Sequence, residues 1–125
     1  MNSDILLFFD THMDALPLYL RLEEQILAQF PDVRIKIAKS QITFANKYGF
    51  VFVSFLPVRK GKDRPKAYIT VTFGLGYRKE SDRIDAATEP YPGRWTHHIM
   101  VSSLEELDEE LFGWIWEAAH FSADK

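Results

Sequence analysis

Apolar residues in the N-terminal quarter of the chain recur at helical spacing. Leu16, Tyr19, Leu22 and Ile26 fall on one face, while the intervening positions are mainly charged or polar. This period predicts a helix over residues 14–30, with Pro17 tolerated in its first turn. Residues 1–13 precede it, and we expect them to form an N-terminal arm or a short helix packed on the domain.

A second helix is predicted at the other end of the chain. Ser103 is followed three residues later by Glu106, which is the capping-box pattern, so the helix is expected to start there. Its apolar stripe consists of Leu104, Leu107, Leu111, Trp114, Ile115, Ala118 and Phe121.

Between the helices, apolar and polar residues alternate with the period of two that is typical of strands. The strand that ends in Leu75 alternates Ile69, Val71 and Phe73 with threonines, whereas residues 50–56 are apolar at nearly every position, as in a central strand. The predicted strands cover residues 33–37, 41–45, 50–56, 67–75 and 94–101.

The order helix, strands, helix predicts a single α+β domain over residues 1–125. We expect a two-layer sandwich in which a mostly antiparallel sheet of about five strands carries the N- and C-terminal helices on one face. The other face of the sheet is then left open, and the strand alternation shows which side chains it carries.

Side chains of alternate residues point to opposite faces of a strand. In the last strand, Trp95, His97, Ile99 and Val101 fit the helix-covered core, so Arg94, Thr96 and His98 face outward. The same reasoning places Thr70 and Thr72 on the open face. This face is cationic and rich in hydrogen-bond donors, which favours an anionic ligand, although threonine and arginine are also ordinary on a solvated sheet.

The stretch of residues 76–93 has no regular pattern and is long for a loop in a compact domain. It carries Arg78 and Arg83, which we expect to rim the open face. A second loop, over residues 58–66, is strongly basic and would contact a phosphate only if it adjoined the same face.

Composition narrows the possible chemistry. The chain has 125 residues, a net charge of −3 and no cysteine, which excludes disulfides and thiolate catalysis and favours a cytoplasmic location. Adjacent strand residues face opposite ways, so His97 and His98 do not chelate one ion. No metal site, cofactor or membrane segment is predicted.

Three segments resemble a known family: VRIKIAKSQITFANKYGF, ITVTFGLGYRKESDRIDAATEPYPGRWTHHIMVSS and LDEELFGWIWEA. Together they resemble a family of uncharacterised bacterial domains, some labelled as predicted transport proteins. More distantly, the order of elements is similar to the YdhG/YjbR/CyaY-like fold. The resemblance implies a helix–sheet–helix sandwich and supplies no catalytic residue. The frataxin branch of the YdhG/YjbR/CyaY-like fold implies iron handling by acidic helix residues.

We expect a binding domain rather than an enzyme. The predicted site for a phosphate- or carboxylate-bearing ligand, or for nucleic acid, comprises Arg94, His98, Thr96, Thr70, Thr72, Arg78 and Arg83. Two alternatives stay open at this point: a small enzyme that uses His98 as acid or base, and a module for homodimerisation or another protein interaction.

Overall fold

The computed structural model describes residues 2–124 and confirms the α+β class. Its helices are α1 (Ser3–Phe8), α2 (Leu16–Gln29) and α3 (Glu109–Ala123). Its strands are β1 (Arg34–Ile37), β2 (Ile42–Ala45), β3 (Gly49–Ser54), β4 (Ile69–Leu75), β5 (Ala86–Tyr91) and β6 (Arg94–Val101).

The strands form one antiparallel sheet in the order β1-β2-β3-β4-β6-β5, so β1 and β5 are its edges. The expectation of about five strands is corrected to six, because β5 lies inside the stretch predicted to be irregular. Its sequence, AATEPY, is mostly exposed and contains Pro90, and proline is tolerated on an edge strand. A strand without a buried stripe gives no period-two signal.

A tight turn connects β5 to β6. Tyr91 pairs with Arg94, which leaves Pro92 and Gly93 as the two turn residues. Gly93 has a φ of 83°, a left-handed conformation that glycine adopts without steric cost. The chain therefore leaves β4 through a loop over residues 76–85, and β5 and β6 then form a β-hairpin.

The helices cover one face of the sheet, as predicted. A buried row crosses that face through Phe44 of β2, Val51 of β3 and Phe73 of β4. Tyr19 of α2 contacts Phe44, and Trp114 of α3 contacts Phe73, with ring centroids 6.2 Å and 6.0 Å apart. Both helices thus bury their apolar stripes on the same side.

The helix boundaries differ in detail from the prediction. A short 3-10 turn, Met13–Ala15, precedes α2, and Pro17 lies in the first turn of α2 as expected. The capping box of Ser103 and Glu106 is present, but it lies at the start of a separate 3-10 turn, Leu104–Glu106, rather than at the start of α3. The N-cap of α3 is Asp108, whose side chain accepts a hydrogen bond from the Leu111 amide.

Candidate functional site

The open face of the sheet carries the residues that strand alternation assigned to it. Backbone pairing aligns Thr43, Phe52, Thr72 and His98 in one row across β2, β3, β4 and β6. Thr96 is next to His98 on the same face and pairs with Gly74 of β4. The sheet therefore brings hydroxyl groups, an aromatic ring and an imidazole together from four strands.

One end of this face is covered by residues 55–68, which we call the crossing loop. The hydroxyl of Thr70 donates to the carbonyl of Leu56 at 2.7 Å, and that of Tyr68 donates to the carbonyl of Phe55 at 3.0 Å. Thr70 is fully buried as a result. The basic loop over residues 58–66, which the sequence left unplaced, thus adjoins the open face.

An ion pair ties the crossing loop to the sheet. Arg59 Nε donates to Asp85 Oδ1 at 2.7 Å, and its Nη2 donates to the carbonyl of Met100 at 3.4 Å. Asp85 also accepts the amide hydrogen of Met100 at 2.8 Å, and its own amide donates to the carbonyl of His98 at 2.9 Å. Asp85 therefore joins the crossing loop to the β6 backbone on both sides of Ile99.

The uncovered part of the open face is a cavity of about 640 Å³, which we call the open-face cavity. This volume lies within the range of roughly 300–1,000 Å³ that is usual for small-molecule sites. Its lining combines apolar and polar side chains, namely Ser40, Gln41, Phe52, Ser54, Phe55, Leu56, Thr72, Thr96 and His98.

His98 is held in place from the sheet. Its Nδ1 makes a hydrogen bond of 2.8 Å with the Thr72 hydroxyl, and the structure shows no partner for Nε2 among residues 2–124. Burial lowers the pKa of His98 below the usual histidine value, so the ring is neutral at pH 7. In the free protein the imidazole is therefore a neutral donor or acceptor. A bound anion would favour its protonated, positively charged form.

Arg94 lies beside the cavity with its guanidinium flat on the sheet. A β-carbon placed on Gly74 would be 2.5 Å from Arg94 Cζ and 2.6 Å from its Nη2. Gly74 pairs with Thr96, so the guanidinium lies next to a residue of the cavity lining, while Arg94 is itself outside that lining. Within residues 2–124 it has no ion pair or hydrogen bond with another side chain or carbonyl, so its donors are free for a ligand.

Arg83 is in a different part of the molecule from the cavity. Its Nη1 donates to Asp108 at 2.9 Å and to Glu110 at 2.8 Å, and its guanidinium stacks over the ring of Trp114 at 5.6 Å. These partners belong to α3 and the turn before it, on the helix-covered side. The hydrogen bonds and ion pairs account for most of Arg83's donor capacity.

Arg78 also lies away from the cavity. It contacts the ring of Trp95, a residue of the helix-facing parity, at 5.8 Å and pairs weakly with Glu80 at 3.7 Å. The expectation that the stretch of residues 76–93 rims the open face is therefore corrected: its first half docks on α3 and its second half is β5. The crossing loop adjoins the open face instead.

The docking of residues 76–85 on α3 involves His97. This histidine is fully buried, stacks on Phe73 and accepts the amide hydrogen of Lys79 on Nε2 at 2.9 Å, whereas its Nδ1 has no hydrogen-bond partner. The ammonium of Lys79 pairs with Glu117 at 2.7 Å. His97 is thus the core histidine that the sequence predicted, and it positions the loop.

Asp108 and Glu106 bond to backbone amides at the starts of α3 and of the 3-10 turn before it. Burial would raise the pKa of Asp108, but hydrogen bonds from the Leu111 amide and from Arg83 outweigh this effect and lower it. Glu106 accepts from the amides of Ser102 and Ser103. Among residues 2–124, no group of three or more His, Cys, Asp or Glu side chains is arranged to hold a metal ion.

Several cavity residues escaped the sequence reasoning. Phe52 and Ser54 belong to a strand that is apolar on both faces, so parity alone did not show which of its side chains are exposed. Gln41 and Leu56 were expected in strands, but they lie just outside β2 and β3, where alternation no longer predicts the direction of a side chain. Asp85 does not line the cavity, and its partner Arg59 is 26 positions away in sequence.

The two neighbouring histidines predict acid sensitivity of the fold. Burial lowers the pKa of both His97 and His98, and the nearby Lys79 lowers that of His97 further. As the pH falls through about 6.5, the unfolded chain binds protons before the folded chain does. The free energy of unfolding should therefore fall from pH 7.5 to 5.5, above the range in which carboxylates titrate.

Urea denaturation at half-unit pH intervals measures this dependence. His98→Gln should remove part of the slope and leave the part that belongs to His97. A free energy of unfolding that stays constant between pH 7.5 and 5.5 would show that neither histidine resists protonation in the folded state.

Comparison with known proteins places the chain in a family. The family described as "Domain of unknown function (DUF5655)" matches residues 7–122, and the chain belongs to it. This confirms the resemblance to an uncharacterised domain family. No curated protein and no solved structure matches the chain, so the similarity to the YdhG/YjbR/CyaY-like fold stays a prediction.

Membrane insertion by a helix finds no support in the described residues. None of the helices within residues 2–124 combines the length and the apolar character that a bilayer crossing requires.

Proposed function

We propose that this domain binds a small anionic molecule in the open-face cavity. The observation that carries the proposal is the guanidinium of Arg94, which lies over Gly74, the partner of the cavity residue Thr96, and has no carboxylate partner among residues 2–124. Arginine in this state offers several donors in a fixed plane, which suits bidentate binding of a carboxylate or phosphate. The net charge of the chain is −3, so the attraction for an anion is local to this site.

The other polar groups of the cavity fit the same ligand. Arg94, Thr96 and His98 are alternate residues of β6 and share one face of the sheet. Thr96 and His98 both line the cavity. Hydroxyl groups donate to anionic oxygens, and protonation of His98 would add a charge-assisted hydrogen bond. Thr70 contributes to the covering of the face rather than to binding, since its hydroxyl is already donated to Leu56.

The shape of the site favours a small molecule over nucleic acid. Nucleic acid needs an extended row of cations, and its affinity falls steeply with salt. Here the site is concave, and Arg59 of the basic crossing loop is engaged with Asp85. The lysines of that loop are exposed and would adjust the affinity of a ligand rather than form its main contact.

A second candidate function is acid–base catalysis by His98. The lowered pKa keeps the imidazole neutral at pH 7, and the hydrogen bond to Thr72 fixes its orientation, as a general base requires. The substrate would be an anion held by Arg94. Homodimerisation and a cytoplasmic location stay predictions.

Thermal stabilisation by anions tests the binding proposal. At constant ionic strength, phosphate, citrate or a nucleotide should raise the melting temperature, and a ligand at 100 times its Kd adds about 2.7 kcal/mol. Arg94→Ala should weaken binding by about 10- to 100-fold because it removes charge-assisted hydrogen bonds. Arg34→Ala is the matched control: Arg34 lies on edge strand β1, exposed, and donates to the Asn46 carbonyl.

Two results would overturn the proposal. One is the absence of stabilisation by every anion in the panel. The other is an equal loss of binding in Arg94→Ala and Arg34→Ala, which would indicate a diffuse charge effect. For a carboxylate ligand, whose charge is constant above pH 6, affinity should rise from pH 8 to pH 6 in the wild type and stay level in His98→Gln.

A further inference from the structure

The ring of Phe52 lies close to the backbone of Gly49, because a glycine there leaves room for it. A β-carbon on Gly49 would be 2.9 Å from both Cε1 and Cζ of the Phe52 ring. Any other residue at position 49 would push the ring away from the backbone. The ring is only half-buried and lines the open-face cavity, so its outer surface remains available for contact.

Arg94, at the start of β6, makes a similar contact with a glycine of the adjacent strand β4. Its guanidinium contacts Gly74 of β4 in the way that the Phe52 ring contacts Gly49 of β3. Val51 pairs with Phe73, so the two glycines lie just beyond this pair, toward the same end of the sheet. An aromatic ring and a guanidinium therefore lie on the same face of the sheet, over glycines of the neighbouring strands β3 and β4.

From this platform we infer that the ligand carries a planar aromatic ring in addition to its anionic group. The ring would stack on Phe52, and the anionic group would bind the guanidinium of Arg94 at the edge of the same surface. This inference rests on the proposed function and specifies the class of its ligand. Mononucleotides and aromatic carboxylates both have this chemistry, whereas sugar phosphates lack the ring.

The remaining lining fits a ring with heteroatoms. Gln41 contributes an amide that donates and accepts, and Ser54 contributes a hydroxyl, whereas the hydroxyl of Thr72 is bonded to His98. Leu56 lies at the side of the crossing loop and offers an apolar wall. A stacked ring would thus have apolar contact on its face and hydrogen-bonding groups at its edges.

Calorimetric titration with matched probes tests the inference. The probes are adenosine 5′-monophosphate, ribose 5-phosphate, adenosine and indole-3-acetate. If stacking contributes, adenosine 5′-monophosphate should bind about tenfold or more tightly than ribose 5-phosphate, which has the same charge but no ring. If indole-3-acetate binds and adenosine 5′-monophosphate does not, the ligand is an aromatic carboxylate rather than a nucleotide.

Two variants act on the ring platform. Phe52→Leu should reduce affinity for the aromatic anion to near that of ribose 5-phosphate and should affect ribose 5-phosphate binding much less. Gly49→Ala should have the same effect by displacing the ring, and it serves as a second test if Phe52→Leu melts at a much lower temperature. Gly74→Ala should instead weaken all anions, since it displaces Arg94.

The outcomes separate this inference from the proposed function. Equal affinity for the nucleotide and ribose 5-phosphate, with no change in Phe52→Leu, would overturn the inference and leave anion binding intact. Binding of adenosine as tight as that of its monophosphate, with no loss in Arg94→Ala, would overturn anion binding and support ring recognition. Binding of no probe would overturn both.

Discussion

Asp85→Ala is expected to lower the free energy of unfolding by about 3 kcal/mol, which is large against the total stability of about 5–15 kcal/mol usual for a domain. The Asp85 side chain is 13 % exposed and pairs with Arg59 at 2.7 Å. Its loss leaves the guanidinium without its carboxylate and the buried amide of Met100 without an acceptor. Urea denaturation measures the change.

Two variants and a control divide this effect. Asp85→Asn keeps an oxygen for the Met100 amide but loses the charge, and Arg59→Ala keeps Asp85 bonded to Met100, so each should cost less than Asp85→Ala. Asp82→Ala removes an exposed carboxylate of the same loop and should change stability by less than about 0.5 kcal/mol. Equal effects of Asp82→Ala and Asp85→Ala would contradict the role assigned to Asp85.

The same change should open the crossing loop. Because Asp85 joins Arg59 to the backbone of β6, its removal frees the segment that covers Thr70 and Met100. Hydrogen exchange at the Met100 amide should accelerate in Asp85→Ala more than in Arg59→Ala, since only the first variant removes its acceptor. We therefore expect one carboxylate, in the loop that precedes β5, to hold the crossing loop on the open face.

Alternation along β4 and β6 was sufficient to predict the open face. Thr72, Thr96 and His98 have the parity that the sequence assigned to them, because a half-buried strand shows its period directly. Phe52 was not predictable in this way, since β3 is apolar on both faces. The approach of its ring to the backbone depends on Gly49, which follows the irregular pairing of β2 with β3, and hydrophobic alternation does not encode these contacts.

Charged residues in loops were the least predictable. Arg59 and Arg83 both belong to polar loops, and the sequence does not distinguish them. In the structure Arg59 pairs with Asp85, whereas Arg83 pairs with two acidic residues at the start of α3, Asp108 and Glu110. Their partners are 25 to 27 residues distant in the chain, so only the packed structure decides which arginine is neutralised. Arg94 differs because it lies at the start of a strand, where parity fixes its direction.

Trp114→Ala is expected to cost about 3–5 kcal/mol, the usual range for truncating a buried large aromatic side chain. Trp114 is 7 % exposed and packs on Phe73, and the cationic groups of Lys79 and Arg83 lie 5.8 Å and 5.6 Å from its ring. The substitution therefore leaves a cavity under α3 and also removes the surface on which the loop over residues 76–85 docks.

Trp116 provides a matched control on the same helix. It lies two positions further on, is 48 % exposed and stacks on His120, so Trp116→Ala should cost less than about 1 kcal/mol. Urea denaturation measures both variants, and limited proteolysis should cut the loop over residues 76–85 faster only in Trp114→Ala. Equal losses in the two variants would mean that the packing of Trp114 on Phe73 and on the loop contributes no more to stability than the exposed Trp116 does. Faster cleavage without a change in hydrogen exchange at the Met100 amide would indicate that the helix-covered face and the open face are separately stabilised.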